Sequence, residues 1–341
     1  MGAAIGDVNN DGHPDIYVST FGPDRLFLNA GDGQFCDVTE VAGIENLHWG
    51  ASACFVDYDR DGWLDLFVVN YLDYADRACT RVGGGGRDYC GPQLFPGTAA
   101  RLFRNVTNEE TPRDGSLDAN QQVPRTVRFR DVTLESGIAH QRNPGLGVAA
   151  ADFNNDGWPD LYAANDQTAN SLWINQRNGT FVEEAIERGC AYDIQGNPQA
   201  SMGVALGDPD HDGDLDLFVT HLDGERNTLY LQQADGSFDD ATIRAGLGTV
   251  CLPFTGFGTT FGDFDLDGDE DIVIANGRVK RPDGFRLSAN GDFWEPYRQQ
   301  GQILLNDGTA RFREVTGGRD GFTSMAYTVP LPCFQTNIEI N

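Results

Sequence analysis

The sequence predicts an all-β chain, a β-propeller of four-stranded antiparallel blades, and three observations predict it. The pattern Asp-x-Asp/Asn-x-Asp-Gly-x-x-Asp occurs five times, beginning at Asp7, Asp57, Asp152, Asp208 and Asp263. Each copy runs straight into an apolar segment that alternates with period two: DIYV (15–18), DLFV (65–68), DLYA (160–163), DLFV (216–219) and DIVI (271–274),. Each copy also holds the same place in a longer unit, the starts lying 50, 95, 56 and 55 residues apart. A unit of about 50 residues cannot bury both faces of one sheet by itself, so such units stack radially.

The first strand of each unit precedes the acidic loop and is rich in small residues: MGAAIG (1–6), WGASACFV (49–56), LGVAAA (146–151), MGVALG (202–207) and FGTTFG (257–262). Small side chains suit the innermost strand, which crowds toward the ring axis. The alternating segment is the second strand. The third reads RLFLN (25–29), RLFRN (101–105), SLWIN (171–175), TLYLQ (228–232) and QILLN (302–306), and the fourth FCDVT (35–39), FRDVT (129–133), FVEEA (181–185), FDDAT (238–242) and FREVT (312–316). Glycine-containing turns join the third to the fourth,. The repeats therefore run over about 1–45, 46–140, 141–195, 196–250 and 251–320, followed by an atypical tail, 321–341.

The second repeat carries insertions from about Asp73 to Ala99 and from Thr107 to Thr126, and the fifth carries one from Arg278 to Gln300. Antiparallel alternation puts every second-to-third connection at the end of the blade away from the acidic loop. Tyr74, Tyr89, Phe95, Phe285, Phe293, Trp294 and Tyr297 should then rise from that far end. Long aromatic loops on a rigid scaffold are common binding surfaces. Equally, the rings could serve only to pin the loops down.

The nine-residue loop is a candidate hard-cation cage. Oxygens at positions 1, 3, 5 and 9 converge on one ion only if the chain turns sharply, which glycine at position 6 allows, and position 7 adds a backbone carbonyl. The candidate ligands are Asp7, Asn9, Asp11, His13 and Asp15; Asp57, Asp59, Asp61, Trp63 and Asp65; Asp152, Asn154, Asp156, Trp158 and Asp160; Asp208, Asp210, Asp212, Asp214 and Asp216; and Asp263, Asp265, Asp267, Asp269 and Asp271. The position-7 residues share nothing but a carbonyl. A single copy would read as an acidic turn. Five copies with oxygen ligands, and no sulfur or imidazole at the fixed positions, point to about five structural calcium ions. Position 12 holds Val18, Val68, Ala163, Val219 and Ile274, so the loops are not EF-hands, which need a glutamate there,.

A net charge of −28 over 341 residues excludes ordinary nucleic-acid binding,. Eighteen of the 52 acidic residues are aspartates at positions 1, 3, 5 and 9 of the loops, so much of that acidity belongs to the cages. No apolar run has membrane-spanning length, and the first residues lack a signal peptide, so the chain is expected to be a mature or truncated form,. Weak calcium sites of about 10⁻⁴ to 10⁻³ M fill outside the cytosol, which points to a secreted, periplasmic or cell-surface protein. Of seven cysteines, Cys79 and Cys90 bracket a glycine-rich insertion and are expected to form a disulfide,. Cys36 and Cys54, in strands, are expected to be buried thiols, while Cys190, Cys251 and Cys333 carry no assignment,.

These residues resemble the FG-GAP or VCBS-type repeats of the integrin-α-like propeller, and more narrowly bacterial proteins of the CRTAC1 and ASPIC/UnbV group. The resemblance rests on the five loops, on FGTTFGDFDLDGDED (257–271), on NDQTANSLWINQRNGTF (165–181), on ASMGVALGD (200–208) and on the YCGP (89–92) insertion, and covers about residues 1–317. It implies a calcium-stabilised extracellular propeller, usually of seven blades, used for binding or adhesion. This chain departs from it in having five complete repeats and no recognisable next loop in the tail.

The expected function is a binding module for protein or glycan, with structural calcium. A polysaccharide lyase or hydrolase on a propeller, or a purely structural domain of a larger protein, are the alternatives. Lys280, the sole lysine, lies in the fifth repeat's insertion, and His13, His48, His140, His211 and His221 are scattered, most of them expected at the surface. No GxSxG or HExxH element appears,.

Overall fold

The computed structural model describes residues 2–77, 79–80, 87–88, 90–110, 127–279 and 294–315. Among the described residues, five four-stranded antiparallel sheets follow one another along the chain. The first holds β1 (Ala3–Gly6), β2 (Asp15–Val18), β3 (Arg25–Asn29) and β4 (Phe35–Asp37); the second holds β5 (Gly50–Val56), β6 (Asp65–Asn70), β9 (Arg101–Asn105) and β10 (Phe129–Asp131). Between β6 and β9 a two-stranded hairpin, β7 (Cys79–Thr80) and β8 (Arg87–Asp88), is closed by the Cys79–Cys90 disulfide, Cα to Cα 5.3 Å. The third sheet is β11 (Gly145–Ala151), β12 (Asp160–Asn165), β13 (Ser171–Asn175) and β14 (Phe181–Glu183), and the fourth is β15 (Val204–Gly207), β16 (Asp216–Val219), β17 (Thr228–Gln232) and β18 (Phe238–Asp240). The fifth is β19 (Thr255–Gly262), β20 (Asp271–Gly277), β21 (Gln302–Asn306) and β22 (Phe312–Glu314).

Strand order within each sheet is sequential, so every sheet is a meander with the acidic loop and the third-to-fourth turn at one end and the second-to-third connection at the other. First strands of consecutive sheets pack on one another, β1 on β5, β5 on β11, β11 on β15 and β15 on β19. Their small residues are required by that approach: a Cβ built on Gly147 would stand 2.0 Å from the Met202 carbonyl oxygen, and one on Gly203 2.3 Å from that of Phe257.

The core lies between blades rather than within them. Tyr17, Leu26 and Leu28 meet Leu66, Val68 and Phe103; Phe67 and Leu102 meet Leu161 and Trp173; Tyr162 and Ile174 meet Leu217 and Tyr230; Phe218 and Leu231 meet Ile272 and Leu304. Each sheet thus supplies one face to each neighbour, which is why alternation in the second and third strands is incomplete and β6, β12 and β17 are buried throughout,. Packing of this extent does not join β1 to β19 among the described residues.

Two expectations fail. Cys36 is exposed, because β4 is an outermost strand whose three residues all face solvent, and Cys54 is only half-buried. Of the histidines, His13, His140 and His211 are exposed as expected of most, and His221 is the buried exception, its Nε2 3.1 Å from Ser201 Oγ, because the chain leaving β16 turns inward against the next blade. Lys280, Tyr89, Phe285, Phe293, Cys333 and the tail 321–341 lie outside the described residues.

Candidate metal centres and the opposite end

All five loops adopt one conformation, and its hydrogen bonds explain the spacing. The position-1 carboxylate accepts from the backbone N–H groups of positions 5 and 6 at 2.6–3.1 Å, curling the chain around itself. The position-5 carboxylate accepts from the N–H of position 7 at 2.9–3.0 Å. Gly12, Gly62, Gly157, Gly213 and Gly268, at position 6, have φ of 85–99°, where a side chain would be strained,. Position 4 is left-handed too, at φ 54–63°, although it carries Asn10, Arg60, Asn155, His211 and Leu266,.

Position 9 is the anchor. Asp15, Asp65, Asp160, Asp216 and Asp271 are fully buried. One oxygen accepts the N–H that ends the third strand, from Asn29, Asn105, Asn175, Gln232 and Asn306, at 2.7–2.8 Å. The other accepts the N–H of position 2, from Val8, Tyr58, Phe153 and Phe264, at 3.0–3.2 Å. In the fourth loop position 2 is Pro209, which has no N–H, and Asp216 Oδ2 is left buried without a partner,. Burial outweighs the backbone bonds in setting protonation, and pushes Asp15 up to about 6, Asp65 and Asp216 to about 8 and Asp160 to about 7,.

Carboxylate oxygens of Asp57, Asp59 and Asp61, of Asp208, Asp210 and Asp216, and of Asp263, Asp265 and Asp271 converge to within 4.8 Å of one another. The first and third loops have Asn9 and Asn154 at position 3, so they bring together fewer charges. Asp59 Oδ1, Asp210 Oδ1 and Asp216 Oδ2 are buried and unpartnered. Orphaned carboxylate oxygens in an all-oxygen cluster fit a divalent cation. At position 7 the side chains of Trp158, Asp214 and Asp269 meet position 4 of the preceding blade. Asn10 donates to the Gly62 carbonyl (3.0 Å), Arg60 lies 5.5 Å over the Trp158 ring, Asn155 donates to Asp214 (2.8 Å) and His211 Nε2 meets Asp269 (2.9 Å). Consecutive loops are thus laced through positions 4 and 6 or 7.

Sequence reasoning passed over the third strand's last residue, although its asparagine recurs in four of the five copies. Asn105 Nδ2 donates to Val8 O (2.8 Å) and Leu64 O (3.1 Å), Asn175 to Tyr58 O and Pro159 O, and Asn306 to Pro209 O and Glu270 O. Each ties its own loop to the loop of the blade before.

The opposite end repeats less: a β-bulge opening the first strand, opposite an asparagine (Asn70, Asn165, Asn276) whose amide donates just ahead of the third strand, recurs in the second, third and fifth blades, while the connections differ. There Phe21, Trp49, Tyr71, Tyr74 and Phe95, from the first and second blades, form one run of ring contacts with centroids 5.0–5.9 Å apart. Phe21 is 59% and Tyr74 42% exposed. Arg101 stands beside the cluster, 3.3 Å from His48 and 2.8 Å from Asp131. In the fifth blade Tyr297 is buried and pins its connection, while Trp294 is exposed.

A sequence profile of the FG-GAP-like repeat matches residues 7–68, 152–219 and 208–274. Cartilage acidic protein 1 of Mus musculus is 28% identical over 252 residues, covering 69% of this chain and 33% of that protein, and the Homo sapiens protein is 25% identical over 265 residues, 75% and 32%. The chain therefore spans about a third of the length of the curated relatives it matches. Similar solved structures include the V. cholerae biofilm matrix protein Bap1 (TM-score 0.42, 13% identity, 92% of this chain and 38% of that one). Another is Bacillus licheniformis rhamnogalacturonan lyase PL11 (TM-score 0.41, 14% identity, 94% and 51%).

Proposed function

The chain belongs to the FG-GAP-like repeat family, and from that premise we propose that it is a calcium-stabilised extracellular binding module. It takes a protein or carbohydrate ligand at the end of the blades opposite the acidic loops. Calcium is held by the side chains at positions 1, 3, 5 and 9 and the carbonyl at position 7, from Asp7 to Asp15, Asp57 to Asp65, Asp152 to Asp160, Asp208 to Asp216 and Asp263 to Asp271. The ion neutralises carboxylates that would otherwise repel one another and so ties the first strand to the second in each blade. The chain's own contribution is positioning: the position-1 carboxylate shapes the turn, and the position-9 carboxylate locks the loop to the third strand. The Cys79–Cys90 disulfide supports an oxidising compartment,.

The observation that carries the ligand assignment is the aromatic run of Phe21, Trp49, Tyr71, Tyr74 and Phe95. It spans two blades and three separate connections, leaves Phe21 and Tyr74 open to solvent, and has Arg101 and Asp131 at its margin. Aromatic faces flanked by charged hydrogen-bonding groups suit sugar rings or an apolar peptide anchor. On a glycan and peptide array, calcium-loaded protein is expected to give hits that Trp49→Ala and Phe21→Ala abolish with melting behaviour retained. Hits that survive both substitutions would remove the ligand site from this end.

A further inference from the structure

The interface between the second and third blades differs from its neighbours in one way. The fourth residue of the third strand is Leu28, Ile174 and Leu231 in the first, third and fourth blades, each buried against the next blade. In the second blade it is Arg104. Antiparallel register sets Arg130 directly across from Arg104 on the same face of the sheet, where the other blades pair Leu28 with Cys36, Ile174 with Val182, Leu231 with Asp239 and Leu305 with Arg313. Like charges opposite one another in a sheet are destabilising unless something neutralises them. Arg104 is neutralised internally, its guanidinium 2.5 Å from Asp59, 3.5 Å from Asp61 and 2.8 Å from Glu109. Arg130 is exposed and makes no ion pair or side-chain hydrogen bond among the described residues.

Above the packed Tyr58, Val132 and Phe181, the seam beside Arg104 opens into a cleft of about 360 Å³ at the loop end. That volume lies in the range of about 300–1,000 Å³ usual for small-molecule sites. Its walls carry Arg130, Arg177, Glu135, Trp158, Asn178 and Thr180. Among the described residues Arg177 is held by Asp156 at 2.9 Å and Arg104 by Asp59, so Arg130 is the one arginine of the cleft outside an ion pair, with the exposed Glu135 also lining it. Glu135 and Asn178 add hydrogen-bonding groups, and Trp158, under Arg60, adds an aromatic ring.

We propose that this cleft is a binding site for a carboxylate-bearing sugar, a hexuronate unit, with Arg130 pairing the carboxylate and Glu135 and Asn178 meeting ring hydroxyls. An acidic chain repels anions at long range, so an unpaired arginine held in a cleft beside another arginine is a local exception that an anionic ligand resolves. The site is separate from the aromatic end and does not depend on it.

Isothermal titration of the calcium-loaded protein with D-galacturonate, D-galactose and sulfate tests the assignment. Galacturonate is expected to bind, galactose not, and sulfate more weakly than galacturonate. Arg130→Ala should weaken galacturonate by about tenfold or more, the worth of one charge-assisted contact, and Arg130→Lys should restore part of it. Trp49→Ala should leave this titration unchanged, which separates failure here from failure at the aromatic end. No galacturonate heat, equal binding by Arg130→Ala, or sulfate binding as tightly as galacturonate would each overturn the proposal.

Discussion

The two ends of the blades are built on different principles. At the loop end, five copies of one hydrogen-bonded turn repeat with the same carboxylate partners and the same left-handed positions. At the opposite end three blades share a β-bulge and a strand-closing asparagine, the described connections differ in length and sequence, and a single aromatic run crosses from the first blade to the second. The contrast teaches that what every blade needs in order to fold is written once per repeat, whereas the aromatic run proposed to take a ligand is written once per chain. The five loops should therefore govern stability and the aromatic run recognition, the cleft beside Arg130 being the loop end's one exception.

The largest expected effect divides the ends most sharply. A cation at tenfold its dissociation constant adds about 1.4 kcal/mol per site, so several sites together rival a domain's whole margin of about 5–15 kcal/mol. Chelation is expected to lower the melting temperature by about 10 °C or more, while Trp49→Ala moves it far less. A melt indifferent to chelator would make the loops turns and nothing else.

A pH series in chelator sharpens the same contrast, because the raised carboxyls that a cation would ionise lie at the loop end, while the far end holds a buried histidine together with Asp24, Asp166 and Glu225, whose carboxyls burial also raises. The buried Asp15, Asp65, Asp160 and Asp216 have folded values raised to between about 6 and 8. The folded state then holds more protons than the unfolded one between about pH 4 and 8, so this contribution is full in acid and is lost as pH rises through the folded values. At the far end burial pushes His221 down to about 3. There the unfolded state takes up the proton first, so stability is present above about pH 6.5 and lost as pH falls toward 3. Ion-free protein should be most stable at an intermediate pH. Calcium is expected to flatten the alkaline limb by holding the carboxylates ionised, and His221→Gln to flatten the acid limb. Thermal melts across pH with and without calcium check both, and one limb responding to both changes would refute the division.

The loop end was legible because its constraints recur. Glycine at position 6, the four oxygen positions and the alternating strand can be read from one chain by comparing it with itself. Position 4 was not legible, since Asn10, Arg60, Asn155, His211 and Leu266 share a backbone conformation and no chemistry. The aromatic run was half legible. Tyr74 and Phe95 sit in an insertion that announces itself by length, but Phe21, Trp49 and Tyr71 are single residues at strand ends that only the folded register brings to them. Cys36 was misjudged and His221 was not singled out, because strand membership does not say which strand is outermost, nor does a strand end say which way the chain turns.

The smallest effect tests whether the loop end obeys its own repeat. Four blades end the third strand with asparagine, and in the second, third and fifth its amide bonds the loop of the preceding blade. The fourth blade has Gln232, fully buried, with both amide atoms unpartnered. One extra methylene carries the amide past the carbonyls that an asparagine would reach, so the blade loses the bond and also buries the polar group. Gln232→Asn is expected to recover the tie to Phe153 and to raise stability by about 1 kcal/mol, the net worth of one satisfied hydrogen bond, read as a higher chemical-denaturation midpoint at unchanged slope. The gain should appear in chelator as well as in calcium, because the bond is made by backbone and amide alone. A loss instead would mean that the seam between the third and fourth blades has packed around the longer side chain, and that repetition at the loop end tolerates local solutions.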